Sequence, residues 1–122
     1  MEIIDVQTFC IYGIPLPEPL GGPTKYARLL HENSPHLTDE NGKYFWEVLN
    51  MGHQIKHREM SCYLALEHIM TSGDYVTPCM LDVRKMAQRS LTSVERAQLK
   101  EVCEYFGVPY EPPKWYLAFN TM

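Results

Sequence analysis

A cluster of prolines and glycines near the N-terminus limits how this 122-residue chain can fold. Between positions 15 and 23, the interrupting residues are Pro15, Pro17, Pro19, Gly21, Gly22 and Pro23. Because proline lacks an amide hydrogen and glycine favours turns, no helix or strand is expected to continue through this segment. Too little chain precedes the segment for a separate domain, so we predict a loop inside a single domain of residues 1–122.

The pattern of apolar residues predicts one strand before this loop and one short helix after it. Residues 3–13 alternate loosely and are rich in β-branched and aromatic side chains, which favours a strand, with a short helix as the alternative. A helix is predicted over residues 24–30, because Pro23 suits a first helical turn and apolar side chains recur at helical spacing. The polar residues 31–42 are then expected to form a loop.

The segment that follows this polar loop allows two interpretations. Apolar residues between positions 45 and 49 recur at helical spacing, which predicts a second helix over residues 42–50. The alternative is a strand that follows a hairpin turn at Asn41-Gly42. We prefer the helix, because residues 36–38 would make a poor partner strand on the other side of such a turn.

The second half of the chain is predicted to be mainly helical. Helical spacing predicts a third helix at about residues 56–71, and the threonine-proline pair at 77–78 is typical of the start of a short fourth helix. Thr92 and Glu95 form a capping box, in which each side chain accepts a hydrogen bond from the other residue's backbone N–H. The helix that begins there is expected to end at Gly107.

A final aromatic stretch at 115–119 favours a closing strand. With the strand near the N-terminus, it completes a fold that we predict to be α+β and mostly helical.

Charge and composition exclude several classes of protein. The chain has 11 basic and 15 acidic residues and a net charge of −4, which excludes a uniformly basic nucleic-acid coat. No apolar run approaches the roughly 20 residues that span a bilayer. The acidic start does not fit a secretory signal, so we expect a cytoplasmic protein. Cys62 and Cys103 lie among apolar residues and are predicted to be buried thiols.

Residues that could bind a metal ion or carry catalysis form no recognised motif. The four cysteines include no C-x-x-C pair. His53 and His57 would share one helical face, but His68 would lie about 16 Å further along a helix, too far to share one ion. We therefore predict no metal, no cofactor and no enzymatic activity, and an enzyme that uses one of these histidines is the remaining alternative.

Local charge is more informative than the total. The segment 53–58 contains basic and polar residues and no acid, and Arg84, Lys85 and Arg89 form a second basic cluster. Such clusters can contact phosphates even in an acidic chain, because salt screens charges that lie further away than about 8–10 Å. An ordinary solvated surface is the alternative.

Several short motifs between residues 21 and 83 occur in an order known from one family of regulators. They are Gly21-Gly22-Pro23-Thr24-Lys25-Tyr26-Ala27-Arg28-Leu29-Leu30, then Phe45, Val48, Leu49 and Gly52, then Ser61-Cys62, Ala65-Leu66-Glu67 and Ser72-Gly73-Asp74-Tyr75-Val76-Thr77, and last Leu81-Asp82-Val83. In this order they resemble the helix-turn-helix of the Cro and YdaS-like phage regulators. The resemblance implies a helix-turn-helix-like bundle of four to five helices with short N- and C-terminal strands. Its core would span about 21–83, and an extra helix and strand would follow at 92–120.

The resemblance also implies a function and a set of site residues. The chain would be a sequence-specific regulator of transcription that binds double-stranded DNA as a homodimer and occupies an operator. Its second helix would lie in the major groove and present one side to the bases. The residues expected on that side are Lys43, Tyr44, Trp46, Glu47 and Asn50, with Gln54, Lys56 and Arg58 holding the DNA backbone. This list requires that Trp46 is not part of the core.

A second function is compatible with the same residues. A non-enzymatic protein-binding module, or a phage-type inhibitor of a host protein, would keep the scaffold without binding DNA. The net charge of −4 and the acidic Glu47 on the presented side favour this alternative.

Overall fold

A computed structural model of the protein describes residues 6–17, 24–52, 60–71 and 81–121. In chain order the elements are β1 (Val6–Leu16), α1 (Lys25–Asn33), β2 (Glu47–Gly52), β3 (Met60–Thr71), α2 (Val83–Ala87), α3 (Ser93–Phe106) and β4 (Lys114–Thr121). The strands form one antiparallel sheet in the order β2-β3-β1-β4. Since β3 lies between β1 and β2, and β1 lies between β3 and β4, two βαβ units interlock in the split βαβ arrangement.

The predicted mostly helical fold, a helix-turn-helix-like bundle of four to five helices, is wrong. The described residues contain three helices and a four-stranded sheet. Most of the helix predicted over 42–50 is turn and β2, and the helix predicted over 56–71 is β3 where it is described. α1 is therefore followed by a turn and a strand, and not by a second helix that could enter a DNA groove.

The error at β3 has its origin in burial on both faces of the strand. Cys62 and Leu64 pack toward the helices, whereas Ala65 and the half-buried Tyr63 pack on the opposite face of the sheet. A strand that is buried on both faces is a continuous apolar run, in which alternation is lost and helical spacing can be found by chance.

In the segment 46–49, successive side chains lie on alternate faces of the sheet, as in any strand. The segment is too short for this alternation to be recognised from the sequence and to exclude a helix. Trp46 and Val48 pack with the helices, and Leu49 packs in the cluster on the opposite face. Glu47 is exposed and lies opposite Ala65 of β3. The apolar residues that were expected on one helical stripe therefore lie on different sides of the sheet.

The alternative interpretation, a hairpin-like turn at Asn41-Gly42, describes what precedes β2. The Asp39 carboxylate accepts hydrogen bonds from the backbone N–H groups of Asn41, at 2.8 Å, and Lys43, at 2.9 Å. Gly42 has a φ of +79°, a conformation that glycine adopts without the steric cost of a side chain. The turn reverses the chain and brings residues 43–48 back beneath α1.

The predictions of the two terminal strands, of a helix at α1 and of two buried cysteines are confirmed. The described residues 6–16 and 114–121 form strands where 3–13 and 115–119 were predicted, and α1 includes most of the predicted helix 24–30. Residues 1–5 lie outside the described residues. Cys62 and Cys103 are buried as predicted, and burial raises the pKa of the Cys103 thiol to about 11.

The helix ends show which local signals are decisive. The capping box of Thr92 and Glu95 opens α3, and Gly107, with a φ of +69°, closes it. The predicted helix start at 77–78 lies outside the described residues, and among the described ones α2 begins after Asp82. The Asp82 carboxylate accepts a hydrogen bond from the backbone N–H of Lys85 at 3.0 Å.

β1 continues through Pro15 to Leu16, although the sequence predicted that proline would end it. β4 pairs with β1 only as far as Gly13, opposite Lys114. Pro15 therefore lies where one side of β1 has no neighbouring strand among the described residues. Proline is tolerated at such a position in a sheet, because no partner there requires its missing N–H.

The helices α1 and α3 cover one face of the sheet. Tyr26 and Leu30 of α1 pack with Leu99 and Phe106 of α3 above the side chains of β1 and β3. The rings of Tyr26 and Phe106 lie 4.9 Å apart. This layer is the main core of the domain, since burial of apolar surface is the dominant favourable term in folding.

The opposite face of the sheet is concave. Ile11, Leu49, Tyr63 and Tyr116, one from each strand, belong to a single cluster on this face. The edge strands β2 and β4 approach to within 8 Å between Cα atoms. In a flat sheet they would lie about 14 Å apart, because neighbouring strands are spaced by about 4.8 Å. The sheet is therefore strongly curled, and its concave face packs against itself.

A bulge in β3 contributes to this curl. The register of β1 against β3 shifts between Tyr12, which lies opposite Glu67, and Gly13, which lies opposite Ala65, so Leu66 is an extra residue in β3. Bulges of this kind bend a strand and increase its twist. Gly13 is buried at the bulge, and a Cβ atom there would overlap the carbonyl oxygen of Leu64. The two strands can approach closely at this point only because residue 13 has no side chain.

Arg89 connects the segment before α3 to the sheet. Its guanidinium lies 3.2 Å from carboxylate oxygens of both Glu67 in β3 and Glu95 in α3, and 5.0 Å from the centre of the Tyr12 ring. Burial alone would raise the pKa of Glu95, but hydrogen bonds from Arg89 and Thr92 outweigh it and hold this pKa below its ordinary value.

We expect Arg89→Ala to lower the free energy of unfolding by about 2 kcal/mol at neutral pH, since it leaves a half-buried carboxylate without its partner. The folded pKa of Glu95 is lowered, so its contribution to stability is complete above the unfolded pKa and is lost as the pH falls through the folded pKa. Urea denaturation of both proteins should show the difference shrinking as the pH is lowered toward about 3. Arg96→Ala, on the exposed surface of α3, is the matched control and should change stability by less than about 0.5 kcal/mol. A difference that does not depend on pH would contradict the assignment.

Candidate binding surface around residues 42–48

Trp46 holds the segment 42–48 against the helices. Its side chain is 0% exposed, and its indole Nε1–H donates a hydrogen bond to Oε1 of Gln98 in α3 at 3.2 Å. Because the indole is fixed on the inner side, its neighbours Phe45 and Glu47 project outward, and the Phe45 side chain is 43% exposed. The buried tryptophan thus determines which residues of this segment are available to a partner.

One cleft lies between this segment and α1. This inner cleft has a volume of about 370 Å³, and Ala27, Leu30 and His31 of α1 form its helical wall. The rings of His31 and Tyr44 stack across it, with centroids 4.6 Å apart and an angle of 16° between their planes. The stacked rings occupy part of the opening and link α1 to the segment.

A second cleft lies on the other side of the segment, toward β3. This outer cleft has a volume of about 310 Å³ and includes the apolar side chains of Phe45, Leu66 and Ile69. Ile69 is 38% exposed, so two large apolar side chains face solvent at this one place. Its polar lining residues are Lys43, Tyr44, Glu47, Glu67 and His68.

The charged groups of the outer cleft are unevenly balanced. Glu47 is 58% exposed, and its carboxylate lies 3.6 Å from Nδ1 of His68, an ion pair only when that imidazole is protonated. Glu67 forms an ion pair with Arg89, and Arg89 also forms one with Glu95. Lys43 is therefore the one permanent cation among the described residues that line the outer cleft. A basic group of a partner would find an exposed carboxylate at Glu47.

Neither cleft has the composition of a metal site. Within the described ranges, no three His, Cys, Asp or Glu side chains lie close enough together to hold an ion. The two clefts instead provide apolar and polar side chains and enough space for a side chain of another molecule.

None of the helices in the described part of the chain is long and apolar enough to cross a membrane.

Comparison with protein-family models, with curated proteins and with solved structures finds no match. The function is therefore inferred from the geometry of the two clefts.

The predicted DNA-contacting residues are brought together only in part. Lys43, Tyr44 and Glu47 line both clefts. The expectation that Trp46 faces a ligand is wrong, because its indole is buried in the core. Asn50 is half-buried on β2, where its side-chain oxygen accepts a hydrogen bond from Sγ of Cys62 at 2.9 Å.

The remaining predicted residues lie either outside the described residues or away from the two clefts. Gln54, Lys56 and Arg58, together with His53 and His57, lie outside the described residues. In the second basic cluster, Arg84 and Lys85 are exposed on α2. Arg89 forms ion pairs with Glu67 and Glu95.

Many residues that line the clefts were not predicted as binding residues. His31, Leu66 and Ile69 reach the clefts through the pairing of distant segments, and no local pattern marks such pairing. Phe45 was predicted to lie in the core, because it occupies an apolar position in an apparent helical stripe. Its exposure follows from the burial of Trp46, the next residue.

Proposed function

We propose that this protein is a non-enzymatic protein-binding module and that the outer cleft is its contact surface. The observation that carries this proposal is the joint exposure of Phe45 and Ile69, at 43% and 38%, in one cleft. Large apolar side chains that are grouped in a concave site with a polar rim are typical of surfaces that bind proteins.

The way in which Phe45 is held supports the proposal. Its backbone N–H donates a hydrogen bond to the carbonyl oxygen of Leu37 at 3.1 Å, and the adjacent Trp46 is fixed in the core. An aromatic side chain on a backbone that is already fixed loses little conformational freedom on binding, so more of the contact energy is available as affinity.

Binding of duplex DNA stays a prediction, and the described residues offer it less support. The segment that was predicted to enter the major groove is a turn and a strand, with Trp46 buried. Phosphate contacts need cations, whereas the outer cleft presents Glu47 and Glu67 beside a single lysine, Lys43.

The proposal is tested by protein capture with matched variants. Immobilised wild type and Val94→Ala, which alters a 66% exposed side chain on α3, should retain the same proteins from a lysate. The double variant Phe45→Ala, Ile69→Ala should lose at least about 90% of that retention, because removal of hot-spot side chains costs 2 kcal/mol or more. Its far-ultraviolet circular dichroism should match that of the wild type.

Two results would overturn the proposal. One is equal retention by all three proteins, which would place any binding elsewhere on the molecule. The other is a shift of random duplex DNA by the wild type at about 50 mM salt that Lys43→Ala, Arg58→Ala abolishes. That result would instead support the DNA-binding regulator.

A further inference from the structure

Among the described strands, none lies along the outer edge of the half of β3 that borders the outer cleft. β2 pairs with β3 only from Met60 to Ala65, whereas β1 pairs with the other side of β3 as far as Thr71. Within the described part of the chain, residues 66–71 thus have no strand on the side that faces away from β1. Every second residue of such a stretch directs its N–H and C=O groups toward the open side.

The edge is open because the chain that precedes β2 turns away from the sheet. β2 begins at Glu47, opposite Ala65, and just before it Trp46 enters the core beneath the helices. The gap between the diverging segment 43–46 and residues 66–69 is the outer cleft, of about 310 Å³. Exposed apolar side chains and a free strand edge therefore occur at the same place.

We propose that the outer cleft binds an extended peptide segment of a partner protein, which adds as a strand to residues 66–71 of β3. This inference rests on the proposed function and names the class of partner. In strand addition, main-chain hydrogen bonds give affinity and side-chain pockets give specificity. Here the edge of residues 66–71 can make the hydrogen bonds, and the outer cleft is the pocket. One apolar side chain of the segment packs against Phe45 and Ile69.

The charges on the two faces of β3 determine what else the segment carries. Ile69 lies on the helix-covered face with Glu67, which contacts Arg89. His68 and its partner Glu47 lie on the concave face, where the His68 ring is 6.4 Å from that of Phe9. Side chains of an added strand alternate between the faces, so a basic residue next to the apolar one lies near the Glu47 carboxylate. The segment therefore alternates apolar and basic residues.

The test uses an acetylated hexapeptide of alternating valine and lysine and the full-length, ¹⁵N-labelled protein. Two further peptides carry N-methyl groups on one or the other alternate set of amides. Only the set that faces β3 is needed for pairing, so one methylated peptide should bind like the parent and the other at least about tenfold more weakly. Hydrogen exchange of amides within residues 66–71 should slow when the parent peptide binds.

Charge variants test the orientation of the segment. Glu47→Lys should weaken the binding of the parent peptide at least about threefold, since it places like charges together. Glu104→Lys makes the same change of charge on an exposed position of α3 and should leave the affinity unchanged.

Failure of this inference is distinguishable from failure of the proposed function. No binding at about 1 mM peptide, or equal binding of both methylated peptides, overturns strand addition. If the double variant Phe45→Ala, Ile69→Ala still abolishes protein capture in that case, the protein-binding function is supported and only strand addition is rejected. Slow exchange at residues 66–71 without peptide, together with a dimer in sedimentation experiments, identifies a second copy of this chain as the occupant and also overturns the proposal.

Discussion

Replacement of Trp46 by alanine is expected to lower the free energy of unfolding by about 3–5 kcal/mol. The indole is 0% exposed, so its removal leaves a large cavity in the layer between the sheet and the helices. It also removes the donor to Oε1 of Gln98, which is part-buried. Natural domains are stable by only about 5–15 kcal/mol, so this one substitution should bring the protein close to unfolding.

Chemical denaturation followed by far-ultraviolet circular dichroism measures this loss without relying on tryptophan fluorescence. Phe45→Ala is the matched control, because it removes the adjacent aromatic side chain from an exposed position and should cost less than about 1 kcal/mol. Trp46→Phe should lie between the two, since it keeps most of the apolar volume but not the indole N–H. Similar stabilities for Trp46→Ala and Phe45→Ala would show that Trp46 is exposed, as the predicted DNA-binding helix requires.

Gly13→Ala is expected to destabilise the domain by about 3 kcal/mol, at the upper end of the range for overpacking. The added Cβ would overlap the carbonyl oxygen of Leu64 and come within 2.9 Å of the Cα of Ala65. Both are backbone atoms of β3, which cannot give way unless β1 separates from β3 at the bulge. The expected loss arises from this overlap, and not from glycine's freedom of backbone conformation.

Gly42→Ala separates these two effects. No atom lies within 4 Å of a Cβ at Gly42, but its φ of +79° is unfavourable for alanine by about 1 kcal/mol. Urea denaturation should therefore rank Gly13→Ala well below Gly42→Ala in stability. The reverse order would show that the sheet accommodates a side chain at the bulge, and the close approach of β1 and β3 would then be wrong.

Whether an element could be predicted from the sequence depended on how far apart along the chain its deciding residues lie. α3 was predictable at both ends, because Thr92, Glu95 and Gly107 act on their own turn of helix. The sequence could not separate helix from strand for β2 and β3, since short apolar runs fit both periods. What decides them is the pairing of Glu47–Gly52 with Met60–Ala65, which brings together side chains from separate parts of the chain.

The candidate site was predictable to the same extent. Lys43, Tyr44 and Glu47 were named as site residues because the resemblance implied that they lie on the outer side of a second helix. All three line the clefts, although that helix does not form. The other wall of the outer cleft, from Leu66 to Ile69, was assigned to the helix predicted over 56–71. Nothing in either segment alone indicates that the two would face each other.

The sequence by itself determined the local features: both ends of α3, the turn at Asn41-Gly42 as one of two interpretations, and the two terminal strands. Only the tertiary structure decided that Trp46 is buried and that its neighbour Phe45 is exposed. The physical reason is that a local pattern reports backbone preferences within one or two turns. The side of an element that loses contact with water depends on what packs against it, and here that is α3, more than 40 residues further along the chain.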